Sequence, residues 1–91
     1  MGIPEERIER LATLAREATR AGEFDRARDY VRLARRIAER HRTRLPRRFR
    51  RFTCDRCDAY LSPGVNARVR LQSGKVVVAC DCGELARYPY R

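Results

Sequence analysis

The chain has 91 residues, with 22 Lys and Arg against 12 Asp and Glu, a formal net charge of +10 and a pI of about 10.7. No apolar run is long enough to span a bilayer, and the start Met1-Gly2-Ile3-Pro4-Glu5-Glu6 leads straight into charged helix rather than a secretory leader; composition therefore points to a cytoplasmic protein. Nearly all the cations are Arg, whose guanidinium fork pairs phosphate in bidentate fashion and stacks on bases, so the expected partner is a phosphate-rich polyanion such as RNA.

Pro4 followed by Glu5 and Glu6 predicts a helix start, with proline in the first turn and acids facing the positive end of the helix dipole. Ile8, Leu11, Ala12, Ala15 and Ala18 then recur at three- and four-residue spacing, and Gly22 ends the helix. A second helix begins near Glu23 to Asp25 and is expected to run to Leu45, because Pro46 disfavours helical geometry in the residue before it. The short break implies an antiparallel hairpin, and alanines at 12, 15, 18, 27, 34 and 38 let the two backbones come close. One stripe of the second helix, Phe24, Ala27, Val31, Ala34 and Ala38, can bury against the first. A neighbouring stripe of Tyr30, Leu33 and Ile37, together with Leu14, needs another cover. Two small modules offer little internal cover, which favours a partner protein over the rest of the chain.

After Pro46 comes the densest basic run, Arg47, Arg48, Phe49, Arg50, Arg51 and Phe52, with Arg56 following inside the first cysteine pair. Proline before it and a cysteine knuckle after it predict a connector rather than another helix. The arginines fit phosphates, since clustered like charge is unfavourable without an anion to offset it; the two phenylalanines fit core positions better than base platforms.

The only four cysteines form a C-x-x-C pair, Cys54 and Cys57, and a C-x-C pair, Cys80 and Cys82. Between them lie Ala67 to Leu71 and Val76 to Ala79, two β-prone runs separated by Gln72-Ser73-Gly74-Lys75, a hairpin signal. Closing that hairpin brings the pairs together, and four thiolates suit one structural zinc ion. From Phe52 onward only about 40 residues remain, a length at which a core needs a metal, disulfides or a partner. Disulfides and a thioredoxin-like redox pair fit less well, while iron in a rubredoxin-like cage cannot be told from zinc by sequence. Catalytic zinc is disfavoured, because four cysteines close the shell and the single His, His41, lies far upstream. On the first strand Arg68 and Arg70 share one face, while Ala67, Val69 and Leu71 share the other and are expected to be its buried side. Continued from the Arg47 to Arg56 run, the two strand arginines would form one basic surface.

The order of helical hairpin, basic connector, C-x-x-C, Pro63-Gly64-Val65-Asn66-Ala67-Arg68-Val69-Arg70, glycine turn, second cysteine pair ending Cys82-Gly83 and closing Arg87-Tyr88-Pro89-Tyr90 resembles archaeal ribonuclease P protein component 4. That family supplies the zinc-ribbon subunit of the ribonucleoprotein that removes 5′ leaders from precursor tRNA. The resemblance implies one Zn²⁺ on Cys54, Cys57, Cys80 and Cys82, an RNA catalyst with no catalytic residue on this chain, and helices that pair with ribonuclease P protein component 1. The pair would support the specificity domain of the ribonuclease P RNA alongside the other holoenzyme proteins, meeting precursor tRNA indirectly and no membrane. The family's second pair is typically C-x-x-C, and the shorter Cys80-Asp81-Cys82 requires a different pattern of backbone hydrogen bonds to sulfur.

The expected fold is α+β: residues 1–45 a helical hairpin, 46–53 a basic linker and 54–91 a zinc ribbon. The expected RNA contacts are Arg47, Arg48, Arg50, Arg51, Arg56, Arg68, Arg70, Lys75 and Arg87; the expected partner contacts are Leu14, Tyr30, Leu33 and Ile37. Other readings are a ribosomal or transcription-related RNA-binding ribbon, and a zinc-stabilised protein adaptor. A stand-alone nuclease fits poorly, since Asp55, Asp58, Asp81 and Glu84 give no sign of converging on a second metal.

Overall fold

The computed structural model describes residues 2–89, so Tyr90 of the closing motif lies outside the described residues. Helix α1 (Ile3–Arg20) and helix α2 (Phe24–Arg40) form an antiparallel pair, followed by a short helix α3 (Arg47–Arg51) and three strands, β1 (Ala67–Gln72), β2 (Lys75–Cys80) and β3 (Leu85–Pro89). Both long helices end the same way. The Glu23 amide reaches back to the Ala18 carbonyl and Gly22 to Thr19, with Gly22 at φ 80°; Thr43 reaches back to Ala38 and Arg42 to Glu39, with Arg42 at φ 51°. In each case a residue in left-handed conformation reverses the chain and satisfies the last carbonyls.

That motif corrects the expected end of the second helix. Pro46 does not set the boundary; Arg42 adopts the left-handed conformation and stops α2 at Arg40. The freed segment permits a second correction, because Arg47–Arg51 is helical rather than an extended connector. Pro46 caps it in extended conformation and accepts the Arg50 amide at 3.0 Å, and Thr53 Oγ1 donates to the Phe49 carbonyl at 2.9 Å. Phe49, only 2% exposed, fastens the helix by filling the space beside the hairpin.

The main core consists of Ile8, Ala15, Val31, Ala34 and Ala38 from α1 and α2, closed by Phe49 and Tyr60. Alanines at the crossing let the helices approach closely, and the two aromatics come from outside the hairpin. Tyr60 also presents its carbonyl to the buried Thr19, whose Oγ1 lies 3.3 Å away, and to the Asn66 side-chain amide at 2.9 Å. A second cluster of Cys54, Ala59, Leu61, Ala67 and Cys80 surrounds the cysteines.

The sheet is antiparallel in the order β1-β2-β3. Gln72 pairs with Lys75 across the two-residue turn Ser73-Gly74, where φ is 50° and 78°, the twist that matches a tight hairpin. Strand β3 is absent from the sequence reading; five residues ending in Pro89 give a weak signal, and only pairing with β2 fixes them. The expected burial of β1 needs correction beyond its first residue. Ala67 is buried, but Val69 and Leu71 are 46% and 67% exposed, because the hairpin projects past the layer that covers its base.

Candidate metal centre and basic surfaces

The first cysteine pair lies on a loop that the backbone closes on itself. The Cys54 amide donates to the Ala59 carbonyl at 2.9 Å and the Asp58 amide to the Cys54 carbonyl at 3.0 Å, with Asp58 at φ 62°. The second pair lies at the β2–β3 connection, where the Cys80 amide donates to Glu84 and Gly83, at φ 100°, donates to Cys80. Asn66 joins the two loops: its carbonyl accepts the Asp81 amide at 3.0 Å, while its side chain binds the Tyr60 carbonyl and the Ser62 amide. This is a residue whose function sequence reasoning missed, although it stood within the string that carried the resemblance.

All four cysteines are free, and their sulfurs lie within 4.8 Å of one another. Cys54 Sγ is 3.6 Å from Cys82 Sγ, and Cys57 Sγ is 3.6 Å from Cys80 Sγ. A tetrahedral ion with metal–sulfur bonds of about 2.3 Å requires sulfurs about 3.8 Å apart, so the two 3.6 Å pairs match one ion and the wider separations, up to 4.8 Å, draw in around it. The donors to sulfur differ between the pairs. Burial pushes the Cys54 thiol up, opposed by the amides of Cys57 and Arg56, whereas Cys80, pushed well up by burial, receives only the Cys82 amide. The exposed Cys82 is lowered to about 7, chiefly by the Glu84 amide. The shortened second pair thus supplies fewer amide donors to its first sulfur and aims another at its second.

Helix α2 reaches this centre directly. The Arg35 guanidinium binds Asp58, Thr53 Oγ1 and the Cys54 carbonyl, and lies 3.3 Å from Asp55, while Arg32 Nε donates to Asp58 at 3.0 Å. Asp55 and Asp58 are therefore held by arginines that dock the first cysteine loop onto the hairpin.

The expected basic residues divide between separate surfaces. Cross-strand pairs share a sheet face, so the register places Arg68, Arg70, Lys75 and Arg87 together on one face around Val77. Val77 is 2% exposed, flanked by Arg70 on β1 and Arg87 on β3, whose aliphatic stems can cover it. Tyr88 lies on the opposite face with Val69, Leu71, Val76 and Val78, and Arg51 of α3 stands 4.9 Å above its ring. The α3 arginines and the strand arginines therefore do not form the single continuous surface expected from sequence. Arg47, Arg50 and Arg51 line one cleft, Arg48 turns to the other side near Arg16 and Arg20, and Arg56 is exposed on the first cysteine loop.

Of the expected partner residues, Tyr30 and Ile37 pack partly against the hairpin core, whereas Leu14 and Leu33 are 36% and 45% exposed. The second stripe is thus shared between internal packing and open surface.

The RNase P Rpr2/Rpp21/SNM1 subunit domain matches residues 7–83. A ribonuclease P protein component 4 from Halobacterium salinarum is 70% identical over 88 residues, covering 97% of this chain and 95% of that protein. The protein of the same name from Pyrococcus abyssi is 46% identical over 93% of this chain and 75% of its own length. Among solved structures, a chain in the cryo-EM structure of archaeal ribonuclease P with mature tRNA superposes with a TM-score of 0.90 at 44% identity, covering 97% of this chain and 77% of that one. The structure of Pfu Rpp21 gives a TM-score of 0.66 at 39% identity, with 93% and 97% covered. By sequence and by fold, the chain belongs to the RNase P Rpr2/Rpp21/SNM1 subunit family, together with the archaeal proteins called ribonuclease P protein component 4.

Proposed function

We propose that this chain is a protein subunit of ribonuclease P, the ribonucleoprotein that removes the 5′ leader of precursor tRNA, and that it acts without catalytic residues of its own. The observation that carries the reading is its near full-length likeness to a chain of an archaeal ribonuclease P bound to mature tRNA. The four-sulfur cage is assigned to one Zn²⁺, which supplies a structural cross-link, since four protein ligands close the shell. The chain's own residues do the rest. Asn66 and the Arg35 clasp hold the two cysteine loops in register, and the ribbon and α3 hold arginines where RNA phosphates converge. Neutralising those phosphates lowers the Mg²⁺ needed to reach the active RNA fold. The exposed Leu14 and Leu33, with Tyr30 and Ile37 beside them, are assigned to protein component 1, and the pair to the specificity domain of the RNA in the cytoplasm.

The test is to tag the protein in its own cells, purify it gently, and identify the RNA, proteins and metal that accompany it. The expected result is ribonuclease P RNA, component 1 and one zinc per chain; one iron instead would reassign the metal alone. Ribosomal RNA alone, or proteins without RNA, would overturn the reading. Reconstitution adds a functional measure: RNA and partner proteins with and without this chain should cleave precursor tRNA equally at high Mg²⁺ and unequally at low Mg²⁺.

A further inference from the structure

Between α3, the end of the α2–α3 connection and β3 lies an open cleft of about 440 Å³. Arg47, Arg50 and Arg51 reach it together because positions three and four apart share one side of a helix. Phe49, buried in the core, fixes that helix and so fixes the three side chains relative to one another. Arg35 adds a fourth guanidinium at the rim, already engaged with Asp58 and Asp55. Among the described residues, Asp55 is the only acid on the lining, and Arg47, Arg50 and Arg51 pair with no carboxylate. A concave site in which three guanidiniums meet no carboxylate of the described residues is unfavourable unless an anion enters it.

The cleft also carries a stacking surface. Arg51 Cζ lies 4.9 Å from the Tyr88 ring centroid, so a guanidinium and an aromatic ring stand together on the cleft lining. Guanidinium planes and aromatic rings accept unstacked bases, and a duplex would present its bases to neither. The cleft volume falls in the range of small-ligand sites, about 300–1,000 Å³, which suits one nucleotide and not a helix.

We propose that this cleft holds a single unpaired nucleotide of RNA, its base stacked on the Tyr88–Arg51 pair and its phosphate between Arg47 and Arg50. The assignment rests on the reading of this chain as an RNA-binding subunit and adds to it a defined site. It separates two jobs within one basic run: Arg47 and Arg50 supply charge, whereas Arg51 supplies a plane that lysine cannot replace.

The test uses the full metal-loaded chain together with component 1 and ribonuclease P RNA from the same organism, the RNA transcribed with 4-thiouridine, irradiated and mapped by mass spectrometry. The expected cross-link joins one unpaired nucleotide to Tyr88 or to α3. In parallel, Arg51→Lys keeps the charge and removes the plane, so affinity should fall about tenfold with the salt dependence unchanged. Tyr88→Leu removes the platform from the strand side and should give the same signature, which keeps the test decisive if either variant alters folding. Wild-type affinity in both variants, with cross-links confined to other surfaces, would overturn the nucleotide site while leaving RNA binding intact. No binding of the RNA by the unaltered chain together with component 1 would overturn the site and the wider reading together.

Discussion

Cys54, Cys80 and Cys82 are chemically unequal before any metal binds, and the inequality is local. Cys82 is exposed and lowered to about 7 by the Glu84 amide, whereas Cys54 and Cys80 are buried and raised by desolvation. The thiolate is the reactive form, so at pH 7 a large fraction of Cys82 is available and almost none of Cys80. Limiting iodoacetamide on metal-free, folded protein should therefore label Cys82 first and Cys80 last, as read by peptide mass spectrometry. Lowering the pH through 7 should slow labelling of Cys82, because its thiolate is lost there, and loading the metal should protect all four. Equal labelling rates would mean that the second loop does not hold its amides on sulfur without metal. Spacing alone made the convergence of the four cysteines legible, since the residue types and the hairpin between them needed no other information. It could not reveal which amide meets which sulfur, nor that the Asn66 side chain ties Tyr60 to Ser62 while its carbonyl receives Asp81, because those partners are brought together only by the folded loops.

At the scale of elements, the helical hairpin follows from periodicity, glycine and alanine placement, but its second end does not. Arg42 occupies a left-handed conformation that side chains disfavour by roughly 1–2 kcal/mol, and no residue-type signal marks it. Arg42→Gly removes that strain while adding chain entropy to the unfolded state, for a net gain of about 0.5–1 kcal/mol in urea denaturation. Unchanged stability would mean that the strain is relieved by local relaxation. The docking of helix on ribbon was equally hidden, because Arg35 reads in sequence as one more solvated cation. It binds Asp58, Thr53 and Cys54 at once, and both Arg35 and Asp58 side chains are three-quarters buried. Arg35→Met and Asp58→Asn should each destabilise the loaded protein by about 2 kcal/mol, and the double variant by clearly less than the sum. Metal affinity measured by chelator competition should fall in both single variants while far-UV helicity is kept. Additive losses would reduce the clasp to two independent surface contacts. The missed α3 and β3 have a related cause: each is short, and each is fixed by what it packs against, Phe49 by the hairpin core and β3 by β2.

Across the whole molecule, the charge excess is divided by the sheet. Arg68, Arg70, Lys75 and Arg87 stand on one face, while Arg51 and its neighbours on α3 stand over the other, above Tyr88. A linear reading of the chain merges them, because the Arg47 to Arg56 run leads towards β1 and nothing in the order of residues shows that the strand arginines point away. If both surfaces meet RNA, they meet different segments of it, and the chain acts as a wedge between strands. Arg68 and Lys75 are the residues to neutralise on the strand face, since Arg70 and Arg87 flank the buried Val77 and their loss would mix stability with charge. Arg68→Gln with Lys75→Gln, and separately Arg47→Gln with Arg50→Gln, should each lower the slope of log affinity against log salt by about 1–2 units. Combined, the four substitutions should lower it by the sum, because the two surfaces share no phosphate. A combined loss no greater than either pair alone would instead mean that one RNA segment wraps the edge of the sheet and that the two faces serve a single contact. A loss from one pair only would assign RNA to that face and leave the other to a protein.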